Sequence, residues 1–140
     1  MKRKFLGVMA GLLIGTAVMA ALDATLLQNV VIMKPQEIAG ATEVTSTVVD
    51  KMPFTGVANI VVTMGVNTGA TVNVQLQTAP NATGTFASVT GATAALAGTN
   101  GATATIPYDT TGGSRYVRLL ATNSNAGAEA NIAATINSYR

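Results

Sequence analysis

The feature that most constrains this chain is a two-residue alternation of apolar and polar side chains that begins after residue 40. It is clearest over Thr71 to Thr78, where Val72, Val74 and Leu76 share one parity and Asn73, Gln75 and Gln77 the other. Successive strand residues point to opposite faces, so this pattern fits a half-buried strand and not a helix. The same reading holds for Val57 to Val66, Arg115 to Thr122 and Ala128 to Ile136, with shorter candidates at Thr45–Val49, Phe86–Val89 and Thr103–Ile106. Turn-forming residues separate the runs: Asn67-Thr68-Gly69, Pro80-Asn81, Thr90-Gly91, Asn100-Gly101, Gly112-Gly113 and Asn123 to Gly127. Asn100-Gly101 predicts a tight two-residue hairpin turn. About seven short strands at this spacing predict an all-β domain over residues 41–140, an antiparallel β-sandwich of Ig-like or jelly-roll type.

Residues 1–40 read differently. From Phe5 to Leu22 every residue except Thr16 is apolar or Gly, with no charge and no Pro. A run of this length exceeds an ordinary strand, so an N-terminal apolar helical arm is expected to precede the sandwich. Residues 23–33 either continue the helix or extend as a strand. Three roles fit the arm. Lys2-Arg3-Lys4 ahead of an apolar stretch and Val18-Met19-Ala20 resembles a secretory signal peptide. Eighteen residues also suffice to cross a membrane, and Gly7, Gly11 and Gly15 form a ridge suited to helix packing. The third role is docking against partner subunits, for which Phe5, Leu6, Met9, Leu12, Leu13, Val18, Leu22, Leu26 and Leu27 are the candidate contacts.

Charge is scarce throughout, at 10% of residues against roughly 25% in ordinary domains. From Met52 to Tyr108 no side chain is charged at all. Free domains carry interspersed charges that keep them dispersed and protect sheet edges. Two explanations remain open: neighbours cover the faces, or Thr and Asn supply enough polarity. The chain has no Cys and no His, which excludes thiolate and imidazole metal sites, Cys nucleophiles, His-based triads and disulfide staples. The six acids, Asp23, Glu37, Glu43, Asp50, Asp109 and Glu129, are dispersed, and no phosphate-loop or nucleophile-elbow motif occurs. The expectation is a non-enzymatic protein without a cofactor or metal. Outside the Lys2–Lys4 tip the cations do not cluster, so no specific nucleic-acid partner is expected. Asp109 reads as the start of an Asx turn, and Asn81-Ala82-Thr83 as a chance match to a glycosylation sequon. Arg115 and Arg118 have opposite parity. Each is expected to pair with Asp109, Asp50 or Glu129, or to stack on Tyr116; the functional alternative is an inter-subunit contact.

The stretches VNVQLQTAPNATGTFASVTGAT (Val72–Thr93) and IPYDTTGGSRYVRLLATNSNAGAEANIAATI (Ile106–Ile136) resemble small structural proteins of tailed bacteriophages, and STVVDKMPFTGVANIVVTMG (Ser46–Gly65) resembles their opening strands. The family's patterns are a strand of the type V-x-L-Q-x-S leading into an acidic turn, a G-T-F-x-D-V-T-G strand, an R-Y-V-R-x-x-x-T strand and a final apolar strand. The resemblance covers roughly Val44 to Ile136. The acidic turn of the family is replaced here by Pro80, Asn81 and Ala82, and the N-terminal arm lies outside the pattern. The resemblance implies a capsid decoration or cement protein. It would be a homo-oligomer held among other capsid or virion subunits and localised to the virion. The alternatives are an exported bacterial surface or adhesion module with residues 1–20 as its signal, and a membrane-anchored structural protein held by the N-terminal segment.

Overall fold

A computed structural model describes residues 27–98 and 100–139. It contains nine strands: β1 (Leu27–Ala39), β2 (Glu43–Thr45), β3 (Val49–Asp50), β4 (Thr55–Asn67), β5 (Thr71–Ala79), β6 (Ala87–Ala97), β7 (Thr103–Asp109), β8 (Tyr116–Asn123) and β9 (Glu129–Tyr139). No helix occurs among the described residues. One sheet has the order β1-β9-β4-β7; the other runs β2-β8-β5-β6, with β3 also paired to β8. All pairings are antiparallel.

The alternation seen in the sequence becomes the inner faces of the two sheets. Ala58, Ile60, Val62 and Met64 of β4 join Ala130, Ile132, Ala134 and Ile136 of β9 on one side. Val72, Val74 and Leu76 of β5 join Val117, Leu119 and Ala121 of β8 on the other, and both sets belong to one buried cluster. Burying each Val, Leu, Ile or Met among them contributes roughly 1.5–3 kcal/mol, and each Ala less, so pattern and register reinforce each other.

Several local expectations change. Residues 27–39 form a strand, which resolves the open choice over 23–33 for the part described and puts Ile32, Met33 and Ile38 in the core. The composition change near residue 40 is therefore not an edge of the sheet. Strand β1 shifts register at Val31/Met33 and again at Met33/Gln36. Pro35 falls within the second shift, where an edge strand tolerates its missing N–H. Thr90-Gly91 is not a turn between strands: it lies inside β6, opposite the register shift between Gln75 and Gln77. Gly91 adopts φ 77 there, a conformation that costs other residues a Cβ clash. Asn100-Gly101 makes no hairpin, because β6 and β7 belong to different sheets. The chain instead crosses between layers, and the Gly101 N–H donates to the Met64 carbonyl at 2.9 Å.

The expected strand at 45–49 is split. The Ser46 N–H donates to the Leu119 carbonyl, and the Leu119 N–H donates to Ser46 Oγ, so a hydroxyl carries the ladder across the gap between β2 and β3. Thr47 donates through both N–H and Oγ1 to the Ile32 carbonyl, which ties this break to the bulge in β1.

Candidate functional site

Between the edges of β6 and β7, where the two layers part, lies a cleft of about 550 Å³. Thr78, Ser88, Thr90, Pro107, Tyr108 and Asp109 contribute to its walls. Its walls carry hydroxyls, a phenol and one carboxylate beside the apolar side chains of Val89, Ala92 and Pro107. Asp109 Oδ1 accepts from Thr111 Oγ1 at 2.6 Å and from the Thr111 N–H at 2.9 Å, the Asx turn expected from the sequence. Those two bonds, the side-chain one first, hold the carboxyl below the usual aspartate range.

Behind Tyr108 sits Lys51, only 7% exposed. Its ammonium donates to Tyr108 Oη at 3.2 Å and to the Gly112 carbonyl, and lies 5.4 Å from the Tyr108 ring centroid. No carboxylate lies within ion-pair distance of it among the described residues. The lysine thus fastens the 110–114 loop to the wall of the cleft through a carbonyl, a phenol and a ring face. Nothing in the sequence marked Lys51 for this role, since its partners are more than fifty residues away.

Arg115 Nη2 meets Asp50 Oδ2 at 2.6 Å, its Nε reaches both carboxylate oxygens, and its guanidinium stands 5.2 Å from the Tyr116 ring centroid. The structure therefore selects Asp50 and Tyr116 from the partners expected for Arg115. The guanidinium holds Asp50 below the usual carboxylate range and is itself raised by Asp50. Arg118 takes none of its expected partners. It stacks 4.3 Å from the Phe86 centroid and donates from Nε to Gln77 Oε1 at 2.8 Å. The side chain of residue 77 is opposite it on β5, a pairing set by register. Arg115 and Arg118 are not brought to one locus. Of the docking candidates, Leu27 has its backbone in β1, paired with Tyr139. Phe5, Leu6, Met9, Leu12, Leu13, Val18, Leu22 and Leu26 lie outside the described residues.

The outer face of the β1-β9-β4-β7 sheet is a second feature. Register aligns Asn29, Asn137, Asn59 and Pro107 in one row across all four strands, and Val31, Thr135, Val61 and Thr105 in the next. Asn137 Oδ1 is shielded from solvent without a hydrogen-bond donor. Val31 and Val57 are 53% and 58% exposed, large apolar side chains left on the surface. The charged residues of this sheet, Lys34, Glu37, Asp109 and Glu129, all stand on edge strands or strand ends. A hollow of about 210 Å³ opens on the same face, lined by Pro35, Thr63, Gly65, Asn131, Ile132 and Ala133.

No group of three or more metal-ligating side chains occurs among the described residues, and no helix long and apolar enough to cross a membrane occurs among them. No family model matches the sequence. No curated protein matches it either. Among solved structures the chain is similar to the N-terminal part of endo-1,4-beta-D-xylanase 10B from Clostridium thermocellum, CBM22-1 and GH10 modules complexed with xylohexaose. The identity is 12% and the TM-score 0.49, over 81% of this chain and 24% of the xylanase chain. The present chain thus spans about a quarter of the length of that solved chain.

Proposed function

We propose that this chain is a non-enzymatic virion structural protein, a capsid decoration or cement subunit that stabilises a shell through contacts between subunits. The observation that carries this reading is the uncharged stretch from Met52 to Tyr108, which supplies β4 through β7 and so contributes to the faces of both sheets. A surface with so few charges is compatible with coverage by neighbours, because no ion has to be desolvated on contact. The strand order supports a jelly-roll β-sandwich over an Ig-like one: β1-β9-β4-β7 faces β2/β3-β8-β5-β6. That architecture recurs in viral capsid and lectin domains. The resemblance to tailed-phage proteins falls on strands from β3 to β9, which supply most of the core, while β1 lies outside it. The N-terminal apolar segment is the proposed docking arm, and homo-oligomeric contact with other capsid subunits is the proposed mode of partnership.

The test is intact mass spectrometry of particles purified from the native source. Full-length chain recovered in stoichiometric amounts with the particles is the expected result. Recovery in the medium or periplasm with a mass beginning near Ala21 would replace this reading with the exported surface module. The cleft beside Tyr108 favours that second reading, since its hydroxyls and phenol suit an uncharged polyhydroxylated ligand. A glycan array probed with the secreted form decides it.

A further inference from the structure

We infer that the outer face of the β1-β9-β4-β7 sheet is a self-association surface, on which a second copy of this chain packs face to face. The inference rests on the subunit role proposed above and names its partner. An interface built on a two-fold axis brings one patch against itself, so the patch must be self-complementary. A patch with a charged centre would oppose like charges. Here the central rows consist of Asn, Thr and Val with one Pro, and the charges Lys34, Glu37, Asp109 and Glu129 stay at the perimeter. Asn and Thr each carry both a donor and an acceptor, so Asn137 of one copy can pair with the Thr135 hydroxyl of the other.

The area is sufficient. Four strands at about 4.8 Å spacing and some nine residues at about 3.4 Å give roughly 600 Å² per copy, or about 1,200 Å² for the pair. Stable specific interfaces start near that total.

Shape adds a register. Val57, 58% exposed, protrudes near one end of β4, and the hollow beside Thr63 and Gly65 lies near the other. A two-fold axis in the plane of the face, perpendicular to the strands and crossing β4 near Ile60, exchanges these two ends. It sets Val57 of each copy over the hollow of the other and lays the Val61 row on the partner's Asn59 row. Sheets stacked this way keep their strands within about 30° of alignment.

The chain lacks cysteine, so single thiols can be placed at will. Full-length Val61→Cys and, as a second site on the same face, Asn59→Cys are treated with a short bis-maleimide. Asn73→Cys, exposed on the other sheet, is the comparison. The expected result is a covalent dimer from Val61→Cys and from Asn59→Cys but not from Asn73→Cys. Sedimentation of Thr135→Lys, which sets a cation in the centre of the face, should show dimerisation weakened at least ten-fold. Equal cross-linking at position 73, or none at positions 59 and 61, overturns the inference. So does a thiol at position 61 that resists maleimide without forming dimer, which would make the chain's own N-terminal segment the cover. Repeating the cross-link on purified particles separates the two proposals. Particles that contain the chain without the cross-link at position 61 refute only the face-to-face pairing. A chain that cross-links in solution but is absent from particles refutes only the virion role.

Discussion

Asn123 is the buried polar residue whose replacement tests the structure most sharply. It ends β8 on the inward parity, 1% exposed, beside Val72 in register. Its Nδ2 donates to the Ala128 carbonyl at 2.8 Å, and its Oδ1 accepts the Asn125 N–H at 3.0 Å. One side chain thereby clamps both ends of the β8–β9 loop. Asn123→Leu keeps the branched heavy-atom skeleton and removes both bonds. Two neutral hydrogen bonds are worth about 1 kcal/mol each net, and the stranded Asn125 N–H adds about 1 kcal/mol more. The Ala128 carbonyl keeps the Gly40 N–H at 3.0 Å, which limits the loss on that side. The expected destabilisation is therefore about 2–4 kcal/mol. Asn123→Asp is nearly isosteric but aims a carboxylate at the Ala128 carbonyl in a dry site. It should cost more at pH 7. Burial and the facing carbonyl raise the folded-state pKa of such an acid, so its penalty is present above that pKa and is relieved as pH falls through it. Urea unfolding followed by circular dichroism at pH 7 and pH 4.5 reads both effects. If both variants unfold at the wild-type midpoint, the residue is not enclosed as described and the reasoning fails.

Ile60→Ala, at the centre of β4 and fully buried, should lower unfolding free energy by about 2–5 kcal/mol in the same urea assay. Gly91→Ala should cost about 1–2 kcal/mol although nothing lies within 4 Å of the added Cβ, because the loss is in backbone conformation. A thermal melt of the variant, compared with wild type, checks this. Asp50 and Asp109 both have folded-state pKa values below the unfolded one, so the stability they confer is present above about pH 4 and is lost as pH falls through the folded values. Replacing both by Asn should flatten the acid limb of a stability–pH profile measured from pH 2 to 6.

How much of this was legible beforehand varies with the range of the interaction involved. The alternation over Thr71–Thr78 and Ala128–Ile136 named the strands and their inner faces, since burial selects every second residue whatever the partner strand. The Asp109 turn was equally local, needing only a carboxylate and a residue two positions on. Thr90-Gly91 misled because a glycine with positive φ serves a bulge as well as a turn, and the choice depends on what lies across the ladder. Asn100-Gly101 misled for a similar reason. A tight turn between strands says nothing of whether they remain in one sheet. Of the expectations for Arg115, the Asp50 pair and the Tyr116 stack form together. Arg118 goes to Gln77 and Phe86, which only the β5–β8 register places beside it.

The sequence by itself determined the fold class, the inward residues of most strands and the scarcity of charge, because each follows from short-range periodicity and composition. Tertiary structure alone decided the rest. It made residues 27–39 an edge strand of the sheet, enclosed Lys51 behind Tyr108, opened the cleft between β6 and β7, and aligned the Asn29–Asn137–Asn59 row across separate strands. Those features join residues distant in the chain, as far apart as Asn29 and Asn137. Their geometry depends on which strands become neighbours and in what register, and no local pattern of side chains encodes that.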